Sequence, residues 1–230
     1  MTGAPEAIML FAAGFGTRMG ALTQSQPKPL IEVAGRPLID HALDLVDAAA
    51  PLRRVANLHY LPEPLAEHLA PKGVALSREA PDILDTGGGL KAALPLLGEG
   101  PVFTMNTDAI WSGPNPLGLL AEAWDPERMD ALLICVPLAG TVGRKGGGDF
   151  ALDAEGLIRR GGDFVYGGVQ ILKTAEVARY PDKVFSLNAI WDILAANGRL
   201  FGAVYPGRWC DVGHPEGIGM AETLLQETDV

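Results

Sequence analysis

Apolar positions along this chain fall in short unbroken runs separated by stretches of helical spacing. Residues 7–13 and 131–138 are apolar runs of strand length, and 101–106 reads as a buried strand. Pro37 opens a helical stretch with Leu38, Ala42, Leu45, Val46 and Ala49 on one face and Asp40, Asp44 and Asp47 elsewhere. Residues 54–58 and 73–77 read as further strands, and 64–69, 89–97 and 116–124 as helices. This alternation predicts an α/β fold with a Rossmann-like, doubly wound, mostly parallel sheet. Ligands of such sheets sit outside the C-terminal ends of the strands. The second half is less regular. Residues 150–152, 157–159, 164–172 and 200–205 suggest a smaller, partly antiparallel region. Helices are expected at 187–196, stopped by Asn197-Gly198, and at 215–226. The expectation is one unit over 1–230, with a first half at 1–140 and a second at 141–230.

Composition narrows the class. The 230 residues are 48% hydrophobic and 20% charged, which suits a globular chain with a well-buried core. A net charge of −10 argues against nucleic acid or an anionic membrane as partner. Any anionic ligand must therefore be met by a local cluster of cations. Two cysteines make no disulfide framework, and Cys135 sits in an apolar run. Without a leader-like start or a run of membrane-spanning length, a soluble cytoplasmic protein is expected. His41, His59, His68 and His214 have no ligand spacing, and Cys210 with His214 lacks a second pair for zinc. Ser77, Ser112 and Ser186 lack triad partners, so covalent catalysis is not indicated. Nothing here sets an oligomeric state.

The chemistry concentrates where the first strand ends. Ala12-Ala13-Gly14-Phe15-Gly16-Thr17-Arg18-Met19 leads to Pro27-Lys28-Pro29-Leu30. Two glycines let a turn pass close to a ligand and aim backbone N–H groups at oxygens. Arg18 can fork onto phosphate oxygens, and Lys28 adds a point charge. The pair of glycines alone is equally a tight turn. A dinucleotide fingerprint would need glycine where Met19 stands, and no P-loop follows. Arg18 and Lys28 at this spacing favour a triphosphate whose leaving pyrophosphate needs stabilising.

With these residues the chain resembles the sugar-1-phosphate nucleotidyltransferases, whose signature is Leu-Ala-Ala-Gly-x-Gly-Thr-Arg-Met followed by Pro-Lys-Pro-Leu. The resemblance continues through Val33-Ala34-Gly35-Arg36-Pro37, Asp85-Thr86-Gly87-Gly88-Gly89, Asn106-Thr107-Asp108 and Trp209-Cys210-Asp211-Val212-Gly213. It is strongest to short bacterial members that act on N-acetylmuramic acid 1-phosphate or, by label, on mannose 1-phosphate. It implies a nucleotide-diphospho-sugar transferase fold of the GT-A-like kind, with a nucleotide-binding half at 1–140 and a sugar-binding half at 141–230, and transfer of a nucleotide onto a sugar 1-phosphate with release of pyrophosphate. The substrate pair it implies first is UTP with N-acetylmuramic acid 1-phosphate. Alternatives are GTP with mannose 1-phosphate, or a non-catalytic nucleotide-sugar-binding regulator.

The resemblance assigns roles residue by residue. Arg18 and Lys28 become the catalytic cations. Ala12, Ala13, Gly14, Gly16, Thr17, Thr86, Gly87 and Gly88 become nucleotide-binding. Asn106, Asp149, Gly168 and Asn188 become sugar-binding. Asp108 and Asp211 become the Mg²⁺ ligands, a carboxylate pair of the kind that leaves room for phosphate oxygens. On spacing alone Asp108 is equally a turn cap, and Asp211 the partner of an arginine. The glycines at 87–89 suggest a flexible loop before a helix. Lys91 reads as a solvated helix lysine. Arg144-Lys145-Gly146-Gly147-Gly148-Asp149 is either a lid over the sugar phosphate or a surface hairpin. Thr107 stands where the family has glycine, so its side chain is expected to narrow the sugar's approach or to contact it.

Overall fold

A computed structural model describes residues 3–49 and 52–227. The elements are β1 (Ala7–Phe11), β2 (Glu32–Val33), β3 (Arg36–Pro37), α1 (Leu38–Ala49), β4 (Arg53–Leu58), α2 (Pro62–Leu69), β5 (Val74–Arg78), α3 (Asp85–Leu97), β6 (Pro101–Asn106) and β7 (Ala109–Ser112). They continue as α4 (Pro116–Ala123), β8 (Ala131–Pro137), β9 (Thr141–Val142), β10 (Phe150–Leu152), β11 (Ile158–Arg160), β12 (Phe164–Lys173), α5 (Ala175–Arg179), α6 (Leu187–Ala196), β13 (Leu200–Val204), β14 (Arg208–Asp211) and α7 (Pro215–Gln226). Turns of 3-10 helix lie at Thr17–Thr23 and Lys28–Leu30.

The main sheet has nine strands drawn from both halves of the chain. β5, β4, β1 and β6 lie side by side and parallel. β12 joins β6 antiparallel, β8 joins β12 antiparallel, and β13 runs parallel to β8. β10 and β11 extend the sheet beside the start of β12. The alternation of side chains along β1 explains the core. Ile8 and Leu10 face one apolar layer with Ile39, Leu58, Phe103 and Leu132, whereas Ala7 and Met9 face another with Leu90, Leu97, Leu133 and Trp191. A strand covered on both faces needs an unbroken apolar run, which is what Ala7–Phe11 supplies.

The expected α/β architecture is present, with differences of detail. In α1 the buried face is Leu38, Ile39, Ala42, Leu43 and Val46; Ala49 is exposed and Leu45 only half-buried. Helix α3 starts four residues before Gly89, so Gly87, Gly88 and Gly89 are buried helix residues and not a flexible loop. Close packing explains the three glycines. A Cβ at Gly87 would overlap the Phe185 ring, one at Gly88 the Lys183 carbonyl oxygen, and one at Gly89 would lie 2.5 Å from Glu79 Oε1.

The sequence pattern also missed a second, small sheet in the order β7-β14-β9. Its strands are too short to show a period, yet they decide the site. In that sheet Asp211 is paired with Ala109, and the Val212 N–H donates to the Asp108 carbonyl at 2.9 Å. A third apolar cluster, Met19, Ile31, Val33, Leu38, Ile110, Cys210, Val212, Ala221 and Leu224, lies beneath it.

Candidate active site

The site lies at the C-terminal ends of β1 and β6, where a parallel sheet leaves a crevice. β6 ends at Asn106, and the chain bends through Thr107 and Asp108 into β7. Strand pairing between β7 and β14 then sets Asp108 beside Asp211. Burial pushes the Asp211 carboxyl above its ordinary range, and the Asp108 charge adds to this; Lys28, Arg18 and His214 pull the other way without cancelling it. Lys28, itself buried, places Nζ 2.7 Å from Asp108 Oδ2. Arg18 lies over Gly213, where an added Cβ would meet Asp211 Oδ2 at 2.9 Å and Arg18 Nη1 at 3.0 Å. Two carboxylates and two cations therefore converge on one edge of the crevice.

The first-strand turn flanks this group. Gly16 has φ +62, and a Cβ there would lie 2.8 Å from Thr23 Cγ2 and 3.0 Å from Lys28 Cβ. Glycine at 16 is thus required both by the backbone and by the approach of Lys28. Gly14 differs, having open space where a Cβ would project. The N–H groups of Gly14, Phe15 and Gly16 have no acceptor among the described residues, whereas the Ala12 N–H is held by Asn57 Oδ1 at 2.8 Å. Asn57 in turn donates to buried Glu79, whose other oxygen takes the Leu84 N–H at 2.7 Å. Neither Asn57 nor Glu79 was anticipated. A polar residue inside the apolar run of β4 was the available signal.

Two cavities share this crevice. One, of about 240 Å³, is lined by residues that include Ala13, Gly14, Asn57, Glu79, Asn106 and Asp108. The other, of about 340 Å³, includes Arg144, Asp149, Arg160, Tyr166, Asn188 and Trp191. Phe11, Asp85, Thr86 and Asn106 line both, so the cavities are continuous. Asp85 holds φ +60, an uncommon conformation for a residue with a side chain, at the point where the cavities meet. Its Oδ1 takes the Thr86 N–H at 2.6 Å, and Thr86 Oγ1 accepts the Leu187 N–H at 3.0 Å.

The wall of the larger cavity is stiff. The Trp191 indole N–H donates to Gln170, and Gln170 donates to Thr104. Tyr166 packs edge-on against Trp191 at 4.8 Å, and burial pushes its phenol upward. Arg160 bonds Asp192 and Asn188 while its guanidinium stands over the Phe150 and Trp191 rings at 5.2 and 5.8 Å.

Of the anticipated residues, Ala13, Gly14, Thr86, Asn106, Asp108, Asp149 and Asn188 line these cavities. Arg18, Lys28, Asp211, Gly16 and Thr17 stand at the carboxylate edge and its turn. Gly87 and Gly88 lie behind the crevice, with both N–H groups donated to the Phe185 carbonyl at 2.9 and 3.0 Å. Gly168, at φ +87, packs behind Asn106, where an added Cβ would lie 3.0 Å away. Thr107 corrects its expectation: it is buried, and Oγ1 donates to the Phe11 carbonyl at 2.8 Å, so the side chain ties β6 to β1 and faces away from the crevice. Lys91 is only partly exposed, and its Nζ donates to the Tyr180 carbonyl. The thiols of Cys135 and Cys210 are buried and pushed up to about 12 and about 11, which leaves them protonated packing groups.

Among the described residues no group of three or more His, Cys, Asp or Glu could hold a metal. The pair Asp108 and Asp211 nevertheless fits a hard divalent cation that takes its remaining oxygens from substrate, since the buried Asp211 carboxylate would gain a counter-charge.

A strand-end crevice with a cradle of free backbone donors, paired carboxylates and two cations defines a nucleotidyltransferase of the nucleotide-diphospho-sugar transferase fold. The MobA-like NTP transferase domain matches residues 8–144, and the chain belongs to that family. The N-acetylmuramate alpha-1-phosphate uridylyltransferase of Caulobacter vibrioides is 44% identical over 99% of this chain and 100% of its own. A probable mannose-1-phosphate guanylyltransferase of Oryza sativa subsp. japonica is 26% identical over 90% of this chain and 61% of its own. Among solved structures, HddC from Yersinia pseudotuberculosis, complexed with GMP-PN, has the same fold, with a TM-score of 0.77 at 20% identity over 96% of this chain and 99% of its own.

Proposed function

We propose that this chain transfers the uridylyl group of UTP to N-acetylmuramic acid 1-phosphate, yielding a UDP-sugar and pyrophosphate. The observation that carries this is the convergence of Arg18, Lys28, Asp108 and Asp211 at one end of a crevice that continues past Asn106 into a second cavity. Likeness to the Caulobacter enzyme over the full length supports the choice of substrates.

In this reading an oxygen of the sugar phosphate bonds to the α-phosphorus of UTP, and the bond from that phosphorus to the β-bridging oxygen breaks. The attacking phosphate is already ionised at neutral pH, so the chain needs no general base. Its work is positioning and charge stabilisation. Arg18 and Lys28 hold the leaving pyrophosphate. The turn from Ala12 and Ala13 through Gly14, Gly16 and Thr17 follows the triphosphate, and Thr86 borders the nucleoside. Gly87 and Gly88 act indirectly, letting α3 seat against residues 183–185 so that Thr86 is held in place. Asn106, Asp149 and Asn188 border the sugar, with Gly168 allowing Asn106 its position. Asp108 and Asp211 would hold a divalent cation, Mg²⁺ in our reading, which when bound neutralises phosphate charge. These are solution substrates, and the reading places the reaction in the cytoplasm.

The test is pyrophosphate release with Mg²⁺ from UTP or GTP, each paired with N-acetylmuramic acid 1-phosphate or mannose 1-phosphate. Release with UTP and the muramic acid derivative, abolished in Asp108→Asn, is the expected result. Release only with GTP and mannose 1-phosphate overturns the substrate assignment.

A further inference from the structure

The larger cavity contains a cation that the transfer reaction does not use. Arg144 lies in the segment between β9 and β10 and lines the cavity wall. Its Nη2 donates to Asp149 Oδ1 at 2.7 Å and to the Gly147 carbonyl at 3.3 Å. Its Nε–H is buried with no hydrogen-bond partner, and Nη1 has no acceptor among the described residues. A guanidinium has five N–H donors, and burying one unpaired is costly. The side chain is also held in place. Asp149 Oδ2 takes the Tyr166 N–H at 3.0 Å, so the carboxylate that anchors Arg144 is itself fixed to β12.

The neighbouring arginine does not share this property. Arg160 is engaged along its edge by Asp192 and Asn188 and covered on its face by aromatic rings. Arg144 also stands away from the phosphate-transfer edge. Asp108 lines the smaller cavity and not the larger one, and Asn106 lies between the two groups. A sugar phosphate whose phosphorus sits beside Asp108 would thus carry its ring past Asn106 and present its substituents to Arg144. A neutral hexose offers only hydroxyls there. A carboxylate offers the charge and the acceptor that Nη1 lacks.

We propose that Arg144, positioned by Asp149, is a specificity-determining residue that recognises a carboxylate substituent on the sugar and so selects acidic sugar 1-phosphates over neutral ones. This rests on the transfer reaction proposed above and deepens it. N-acetylmuramic acid carries such a carboxylate on its ether side chain, whereas mannose does not.

The experiment compares the acidic sugar 1-phosphate with the same molecule bearing a carboxamide in place of the carboxylate, using UTP and the intact protein. The wild type should favour the acid by about 10- to 150-fold in kcat/KM, the range of a hydrogen bond to a charged group. The preference should lie mainly in KM. In Arg144→Gln the ratio should fall to within about threefold of unity, and Arg144→Lys should restore part of it, since lysine keeps the charge but not the planar donors. A merely structural arginine would change both substrates alike and leave the ratio intact. Wild-type protein that uses acid and amide equally overturns the role of Arg144 while leaving the transferase reading standing. Wild-type protein that uses only neutral hexose 1-phosphates overturns the substrate assignment itself. The wild-type comparison decides the matter even if both variants fold poorly.

Discussion

Gly14 and Gly88 both belong to glycine-rich segments beside the crevice, but the structure gives them opposite jobs, and alanine separates these. A Cβ at Gly88 would overlap the Lys183 carbonyl oxygen and stand 3.0 Å from Leu84 Cβ and 3.3 Å from the Lys183 carbonyl carbon. Two of these atoms are backbone and cannot rotate away. Overpacking of this sort costs up to about 3 kcal/mol. Alanine returns about 1 kcal/mol through its better helix propensity. The net loss is then about 2 kcal/mol, which for a chain of this size lowers Tm by about 4–8 °C. At Gly14 nothing lies within 4 Å of the new Cβ, and φ is outside the left-handed region. Alanine there should leave stability unchanged or raise it slightly, by about 0.4–1 kcal/mol through the unfolded chain, and Tm with it. It should raise the KM for UTP, because Gly14 lines the smaller cavity. Thermal unfolding of both variants beside wild type, followed by UTP kinetics, is the assay. If Gly88→Ala melts with the wild type, or Gly14→Ala loses as much stability as Gly88→Ala, the division into a packing glycine and an approach glycine is wrong.

Arg18→Ala should lower kcat by about 10²–10³, the usual effect of removing one preset donor to developing charge, with Tm within about 1 °C of wild type because the side chain is exposed; steady-state rates and a melting curve check both. Thr107→Val keeps the shape of a buried residue but removes its bond to the Phe11 carbonyl, so stability should fall by about 1 kcal/mol in urea unfolding while the KM for the sugar phosphate stays unchanged. Burial pushes Asp130 upward, but hydrogen bonds from Arg199 and Lys173 outweigh it and hold the carboxyl below 3.8. A depressed carboxylate stabilises the fold above its unfolded pKa and loses that effect as pH falls through the folded one. Asp130→Asn should therefore be less stable than wild type at pH 7, with the gap constant down to about pH 5 and closing below about 3.8. A gap that widens on acidification would contradict that sign.

The main sheet and its two apolar layers were legible because long runs of one period carry them. The unbroken apolar stretches in β1 and β8 read as buried strands, and the charged residues after β1 lay where such a sheet holds ligands. Legibility failed where geometry is set by contacts distant in sequence. Gly87 to Gly89 look like a loop by composition, but they lie in a helix, and the nearness of Phe185, Lys183 and Glu79 is what leaves room only for glycine there. Thr107 looked like a substrate contact because the direction of a side chain after a strand end is not encoded in the apolar pattern; the Phe11 carbonyl decides it. Asn57, Glu79 and Arg160 were missed for a related reason. Each is a polar residue in ordinary surroundings, Asn57 within an apolar run and Glu79 and Arg160 beside other polar residues, and its meaning comes from partners distant in sequence.

The small sheet of β7, β14 and β9 is what turns two separated sequence blocks into one site. Asp108 and Asp211 are far apart along the chain, and nothing in the main sheet brings them together. The pairing of Asp211 with Ala109 does so directly. One apolar cluster then supports every charged member of the edge. Met19 follows Arg18, Ile31 closes the turn after Lys28, Ile110 lies just beyond Asp108, and Val212 follows Asp211. The backbone beneath all four groups is thus anchored in a single packed layer with α7 on its outer side, through Ala221 and Leu224. Close-packed layers move in discrete steps and resist small deformation. The spacing between the carboxylates is therefore held although burial, and after it the Asp108 charge, raises Asp211, and a cation or the cationic side chains beside it would offset both. A helix with no residue in the crevice is, on this argument, part of what keeps the crevice in working order.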